Sequence, residues 1–141
     1  MKPCIILTAV VALTIAVSCG GSGLHEPFDS ETCNALAVKI DSRQPLSQED
    51  YAVMIAQNED ILKYIIERSR EISELPDSVR PGAWHDLLAD PEYLERFSYM
   101  FTLGSTLYQA DIDGLLDDRN ARSYAELDKY NADLAAISDR N

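Results

Sequence analysis

The chain has 141 residues, with 24 acidic residues against 12 basic ones and a formal net charge of −12. This length favours one domain, and an apolar content of 46% is typical of a folded protein rather than a disordered one. The negative charge argues against binding to nucleic acid, whose phosphates attract basic surfaces, and against adhesion of the folded part to anionic lipid headgroups.

Residues 1–18 have the pattern of a secretory signal peptide. Lys2 supplies a positive charge, and residues 5–17 form an apolar run that is short for a membrane span. The run leads into Ala16-Val17-Ser18-Cys19, which resembles the lipobox of bacterial lipoproteins. In that family the signal is cut just before the cysteine, whose thiol and new amino group carry fatty acyl chains such as palmitate. The resemblance therefore implies lipidation of Cys19.

The residue that follows Cys19 indicates which membrane holds the lipid anchor. Gly20 stands where an aspartate signals retention in the inner membrane of many Gram-negative species. The family pattern therefore implies the outer membrane, with the acyl chains inserted in the bilayer. Residues 19–28 are expected to form a flexible tether because Gly20 to Gly23 offer little side-chain content. The folded domain is then expected over 29–141.

A first helix is predicted from Asp29 or Ser30, either of which can cap it, to about Ser42. Its apolar residues follow helical spacing: Cys33, Leu36, Ala37 and Ile40. Cys33 has no partner for a disulfide once the signal peptide is removed and Cys19 is acylated. We therefore expect Cys33 to be a small buried residue of the core.

The longest predicted helix covers 47–75. Its apolar residues recur at spacings of three and four: Tyr51, Met54, Ile55, Ile61, Leu62, Ile65, Ile66, Ile72 and Leu75. Ser47 and Asp50 resemble a capping box at its start, and Pro76 ends it. Asn58 falls on the apolar side, where it either fixes helix register and partner choice or lies on a half-solvated rim.

A connector over 76–88 follows, with turn residues at Pro76-Asp77-Ser78 and Pro81-Gly82 and one or two helical turns near its end. It contains Trp84 and His85, which are candidate binding residues. Trp84 is expected to cover one end of the core, and stacking on a ligand is the alternative role.

Asp90 and Pro91 predict the start of another helix, because a capping side chain precedes a proline at the first helical position. Its apolar residues form a rich stripe: Tyr93, Leu94, Phe97, Met100, Phe101, Leu103, Leu107 and Tyr108. Gly104 interrupts the stripe, which predicts close packing against another backbone.

A last helix is expected to end near Asp139. It contains Tyr124, Leu127, Tyr130, Leu134 and Ile137. Either Asp113 caps its start, or Ser123 and Glu126 form a capping box further on.

Residues 109–120 have some of the spacing of an EF-hand calcium loop. Asp111, Asp113 and Asp117 occupy ligand positions, with a glycine between them. The loop lacks its first ligand, where Gln109 stands, and its bidentate glutamate, where Asn120 stands. We therefore expect an acidic turn between helices rather than a strong calcium site, and no resident metal or cofactor.

These elements predict an all-α fold, a small antiparallel bundle of about four helices. The mature part resembles small acidic helical lipoproteins of Gram-negative bacteria whose function is unknown, including the Ser-Gln-Glu-Asp-Tyr start at 47–51. No catalytic motif is recognisable, so we expect no enzymatic activity.

The sequence predicts a non-enzymatic, lipid-anchored envelope protein that binds another protein or assists a complex. One alternative is an immunity or inhibitor protein whose acidic face captures a basic toxin or hydrolase. Another is a carrier of a small molecule or lipid, with a pocket formed by Trp84, Tyr93, Phe97 and Tyr108. The expected partners are a membrane, reached through the lipid, and a protein, but not nucleic acid.

Overall fold

A computed structural model describes residues 27–139, which form six α-helices. They are α1 (Ser30–Asp41), α2 (Gln48–Ser73), α3 (Arg80–Ala89), α4 (Pro91–Ile112), α5 (Asp118–Ala125) and α6 (Asp128–Ser138). No strand occurs within this range, so the predicted all-α class and helical bundle are confirmed. The predicted signal peptide, Cys19 and most of the predicted tether lie outside the described residues.

The central element is α2, on which α1, α3, α4, α5 and α6 all pack. Its predicted capping box is present: Asp50 N donates to Ser47 Oγ at 3.0 Å, and Ser47 N donates to Asp50 Oδ2 at 3.0 Å. An aspartate therefore replaces the usual glutamate without loss of the reciprocal bonds. The helix ends at Ser73, shortly before Pro76, which cannot continue the hydrogen-bond ladder.

The contacts between α2 and α4 show that these two helices run antiparallel. The Arg96 guanidinium lies over the Tyr64 ring at 4.4 Å, whereas Gly104, later in α4, lies beside Asn58, earlier in α2. The start of α4 follows the prediction, because the Asp90 side chain accepts from Glu92 N at 3.1 Å and Pro91 is the first helical residue.

Helix α6 runs in the same direction as α2 and therefore antiparallel to α4. Tyr130 Oη donates to Glu59 Oε1 at 2.8 Å. Further along both helices, Ile137 lies near Ile65 and Ser69, with which it lines a common cavity. This arrangement places α4 and α6 on the same side of α2.

The core between the helices is built from apolar side chains that are almost fully buried. It comprises Cys33, Leu36, Tyr51, Met54, Ile55, Ile61, Ile65, Ile72, Leu87, Tyr93, Leu103, Leu107, Ala110 and Leu127. Cys33 is a free thiol and is completely buried, as predicted. Burial raises its pKa to about 11, helped by the negative charges of Asp29 and Glu95.

The structure contains more helices than the sequence predicted. The expected connector over 76–88 holds α3, and the expected last helix is divided into α5 and α6. The prediction that Asp113 or Ser123 caps this region was wrong. Asp113 is the C-cap of α4, and Ser123 lies within α5. Asp117 caps α5 instead, since its side chain accepts from Asn120 N at 2.8 Å.

The residues that enter α1 are fixed to α2. Gln57 Nε2 donates to Pro27 O at 3.1 Å, and Gln57 Oε1 accepts from Asp29 N at 2.8 Å. Phe28 N donates to Asp60 Oδ2 at 2.8 Å. Pro27 and Phe28, which the sequence assigns to the tether, are therefore hydrogen-bonded to the folded domain.

An arginine sandwich strengthens this junction. The Arg96 guanidinium lies 4.5 Å from the centre of the Phe28 ring and 4.4 Å from that of Tyr64. Arg96 Nη1 also donates to Glu92 Oε1 at 2.8 Å. Cation–π contacts on both sides therefore join the chain entry, α2 and α4.

Candidate functional site

Helix α4 has two apolar faces. Leu103 and Leu107 are completely buried against the bundle. The other face is exposed along the whole helix and consists of Leu94, Phe97, Phe101, Tyr108 and Ile112. At 3.6 residues per turn these five residues fall within an arc of roughly 60°. We call this face the α4 stripe.

The sequence grouped residues of both faces into one stripe, and the structure separates them. Phe101 and Tyr108 are 70% and 61% exposed, although their types and spacing match those of core residues. Exposed aromatic side chains aligned on one helix are unusual, because isolated domains tend to bury such surface. The α4 stripe is therefore a candidate interaction surface.

A groove runs beside the α4 stripe, between α4 and α6. Its floor is formed by α2 residues at helical spacing: Asn58, Leu62, Ile65 and Ser69. One section has a volume of about 550 Å³ and the other about 310 Å³. Met100 and Leu134 line both sections, so the two lie next to each other.

Aromatic side chains line both sections of the groove. The larger section contains Phe101, Tyr108 and Tyr124, and the smaller section contains Trp84, Tyr93 and Phe97. The four aromatic residues predicted to form a pocket therefore all line this groove, with Tyr108 in a different section from the others. Trp84 is half-buried against the core and also faces the groove.

His85, the other candidate from the connector, is not among the described residues that line the groove. Its side chain is exposed, and Nδ1 lies 3.7 Å from Asp86 Oδ1 on the neighbouring residue. The structure therefore places Trp84 at the groove and His85 outside its lining, although the two are adjacent in sequence.

Asn58 lies in the floor of the larger section and is only 5% exposed. Its Oδ1 atom is buried and has no hydrogen-bond partner within the described residues. The half-solvated rim position considered from the sequence is therefore wrong. An unpaired buried carbonyl is costly, so a donor supplied from outside would stabilise this site.

Gly104 forms part of the groove wall opposite Asn58. A Cβ atom added at Gly104 would meet Asn58 Nδ2 at 3.8 Å, which is ordinary van der Waals contact. The prediction that this glycine allows close packing against another backbone is therefore wrong. Its effect is to leave space beside the Asn58 amide.

The open end of the larger section is polar and negative. Gln109, Asp128 and Asn131 line it, and Asp128 is the charged residue among the described lining residues. The pKa of Tyr124 is raised, first by burial and then by the negative charges of Asp111 and Asp128. Two carboxylates therefore lie close enough to raise the pKa of this groove residue.

The acidic residues of the EF-hand-like stretch do not converge. Asp111 lies in the last turn of α4, and Asp113 Oδ1 accepts from Gln109 Nε2 at 3.0 Å. Asp117 is occupied as the N-cap of α5. Within residues 27–139 no group of three or more His, Cys, Asp or Glu side chains is placed to hold a metal ion.

A glutamine fixes this turn. Gln48 Nε2 donates to Leu115 O at 2.8 Å, and Gln48 Oε1 accepts from Asp117 N at 3.0 Å and from Asn120 Nδ2 at 2.9 Å. The turn between α4 and α5 is therefore ordered by hydrogen bonds to the start of α2. Sequence reasoning missed this role, since the partners are about seventy residues apart.

A separate cavity of about 310 Å³ lies between α2 and α5. It is lined by charges of both signs, including Glu59, Lys63, Arg119, Glu126 and Lys129. Lys63 and Glu59 pair with each other at 3.6 Å. Its three basic and two acidic side chains largely offset one another, so the groove is the stronger candidate site.

Comparisons with known proteins give no assignment. No protein-family model matches the chain, and neither a curated protein nor a solved structure matches it significantly. None of the helices between residues 27 and 139 combines the length and hydrophobicity needed to cross a bilayer.

Proposed function

We propose that this protein is a non-enzymatic, lipid-anchored module of the bacterial cell envelope that binds a partner protein through the α4 stripe and the adjoining groove. The observation that carries the binding role is the exposed face of α4, which continues into an aromatic groove. The anchoring role is supported by the lipobox at 16–19, and the outer membrane is the location that the residue after Cys19 favours.

The shape of the surface suits a helical partner. The antiparallel helices α4 and α6, with Leu62 and Ile65 in the floor between them, form a groove in which an amphipathic helix can lay its apolar face. At 1.5 Å per residue, α4 offers a ridge roughly 33 Å long, enough to contact a helix of about 20 residues. Phe101 and Tyr108 are aromatic, and aromatic side chains contribute much of the energy of protein interfaces.

The chain entry suits an anchored module. Hydrogen bonds from Gln57 and Asp60 and the Arg96 sandwich fix residues 27–29 to the bundle. In our proposal the preceding residues run to an acylated Cys19, so the bundle has some freedom of movement near the bilayer while its own entry point stays rigid. Several acyl chains make such anchoring stable, since each buried methylene contributes about 0.8 kcal/mol.

The anchoring part is tested by the mass of the protein isolated from its native membranes. We expect an N-terminal peptide that begins at Cys19 and carries acyl chains. A chain that is unacylated and still contains residues 1–18 would contradict this part of the proposal.

The binding part is tested with Phe101→Ser and a matched control, Val38→Ser. Both residues are exposed apolar side chains, but Val38 lies on α1, away from the groove. After crosslinking in cells, a defined partner should be recovered with the wild-type protein and the control and lost with Phe101→Ser. Equal recovery with all three would place the interface elsewhere. Neither change should shift the melting temperature appreciably, because both side chains are exposed.

A carrier of a small apolar molecule is the second candidate function. The larger section of the groove, about 550 Å³, falls in the size range of small-molecule sites and has aromatic walls with a few polar groups. Organic extraction of the native protein followed by mass spectrometry distinguishes the two: a stoichiometric bound lipid or metabolite supports the carrier.

An immunity or inhibitor protein is a specific form of the binding proposal. The net charge of −12 favours capture of a basic partner, and such association weakens steeply as salt is added. Partner binding that does not change with salt would exclude the immunity or inhibitor role. The apolar contacts of the α4 stripe would then be the source of affinity.

A further inference from the structure

One residue in the floor of the groove, Asn58, has a side-chain oxygen without a hydrogen-bond donor among the described residues. Asn58 is more than nine-tenths buried, lies in the larger section, and keeps its Oδ1 atom unpaired within the described residues. The neighbouring Gln57 shows the contrast: it is 1% exposed, and its amide bonds to Pro27, Asp29 and Cys33. The unpaired amide at Asn58 therefore differs from the normal pattern of this core.

The surroundings of Asn58 favour a donor that carries positive charge. The rings of Phe101, Tyr108 and Tyr124 line the same section and offer π faces, which attract ammonium and guanidinium groups. Asp128 lies at the rim of the section, and the charges of Asp111 and Asp128 act on Tyr124. No lysine or arginine is among the described residues that line this section.

We infer that the larger section is a pocket for the side chain of a lysine or arginine on the apolar face of an amphipathic helix in the partner protein. The charged head would pair with Asp128 while its methylene stem lies against Phe101 and Tyr108. Asn58 Oδ1 has almost no accessible surface, so the amide would turn toward the section to accept a hydrogen bond from the charged head. This inference rests on the proposed function and names the chemistry of the partner. A helix, rather than a free amine, is favoured because the pocket opens directly beside the α4 stripe.

The test is a selection for binding. The library consists of helical peptides of about 20 residues with apolar residues at helical spacing. One central position on the apolar face is randomised. The library is displayed against the full chain in lipid nanodiscs. We expect enrichment of lysine and arginine at the central position. Against Asp128→Asn this enrichment should largely disappear. It should persist against Asp133→Asn, a matched charge change on an exposed residue of the same helix.

The selected peptide then serves as a probe in fluorescence anisotropy. Replacing its central lysine by norleucine should weaken binding about tenfold, as expected for a charge-assisted hydrogen bond. Asn58→Leu, which is close in shape, should weaken the lysine peptide and leave the norleucine peptide unaffected. Because it removes an unpaired acceptor, Asn58→Leu should keep or raise the melting temperature, which separates loss of binding from loss of folding.

The possible outcomes distinguish the cation pocket from the proposed binding role of the groove. Two results would overturn the cation pocket and leave the groove as a binding surface. One is selection of peptides with an apolar central residue. The other is a lysine peptide whose affinity falls equally with Asp128→Asn and Asp133→Asn. Failure to select any peptide that competes at the groove would count against both. Enrichment of lysine or arginine that depends on Asp128 and Asn58 supports both.

Discussion

Two adjacent amides on α2 have opposite environments. Gln57 Oε1 accepts from Asp29 N and from Cys33 Sγ, and its Nε2 donates to Pro27 O. Asn58 has an unpaired Oδ1 in the floor of the groove. The hydrogen bonds of Gln57 stabilise the fold, whereas Asn58 leaves a buried acceptor unpaired at the cost of some stability.

Gln57→Leu should destabilise the protein by about 1–3 kcal/mol, because Asp29 N and Pro27 O lose their partners in a partly buried site. The control is Gln44→Leu, at an exposed position, for which we expect a change within about 0.5 kcal/mol. Urea unfolding of both variants measures the difference. Equal free energies of unfolding would show that the chain entry is not fixed through Gln57.

The thiol of Cys33 should be unreactive in the folded protein. Burial raises its pKa to about 11 from an ordinary value of 9.0, so the thiolate is scarce at neutral pH. Reaction with a thiol reagent at pH 8 should be slow in buffer and fast in urea. Rapid reaction in buffer would contradict the buried position.

The same pKa shift gives the sign of a pH dependence. The unfolded chain loses the Cys33 proton near pH 9, whereas the folded chain keeps it until about pH 11. The stability contributed by the protonated thiol is therefore complete below pH 9 and is lost as the pH rises through 11. Urea midpoints between pH 8 and 11 should fall less in Cys33→Ala than in the wild-type protein, and equal declines would contradict this linkage.

Some of these residue roles were accessible from sequence. The burial of Cys33 followed from helical spacing and the lack of a disulfide partner. The roles of Gln57 and Arg96 were not predictable, since both depend on contacts with residues of other elements. Asn58 was recognised as a polar residue on an apolar face, but spacing alone does not distinguish a rim from a groove floor.

At the level of the elements, helix starts were predicted best. Ser47 and Asp90 use local chemistry, in which a side chain caps a backbone amide two or three positions ahead. The division of the last helix was missed because the turn is ordered by Gln48, from the other end of the bundle. The two faces of α4 were merged because apolar periodicity does not show which side meets the bundle.

Gly104, which lies within α4, and Gly114, which follows its end, should respond oppositely to replacement by alanine. Gly104→Ala should stabilise the protein by about 0.5–1 kcal/mol, because helix propensity improves and the new Cβ meets only ordinary contact at 3.8 Å. Gly114→Ala should destabilise it by about 1 kcal/mol, because the φ of +69° suits glycine. Thermal unfolding of both variants provides the comparison. A destabilised Gly104→Ala would restore the close-packing role predicted from the sequence.

At the scale of the whole molecule, composition and periodicity were enough to predict an all-α bundle. They were not enough to predict the groove, which depends on α4 and α6 packing on α2 without closing against each other. The four aromatic residues proposed for a pocket do line that groove: Trp84, Tyr93, Phe97 and Tyr108.

The net negative charge of the molecule bears on the proposed partner. At the location that we propose, near a membrane, a strongly negative body would avoid non-specific adhesion to anionic lipids and attract basic protein surfaces. In our proposal the groove selects among these surfaces by apolar fit and by a single cation. Long-range charge would then affect the rate of encounter, and the groove would determine how long the complex lasts.

Site-specific photocrosslinking in the cells that make the protein tests the binding surface most directly. A photoreactive benzoylphenylalanine takes the place of Phe101 in one variant and of Glu67, exposed on α2, in a control. We predict that position 101 yields one discrete adduct, mapped by mass spectrometry to an amphipathic helix of a partner, and that position 67 yields none. Adducts at position 67 alone, or the same adducts at both positions, would contradict this prediction.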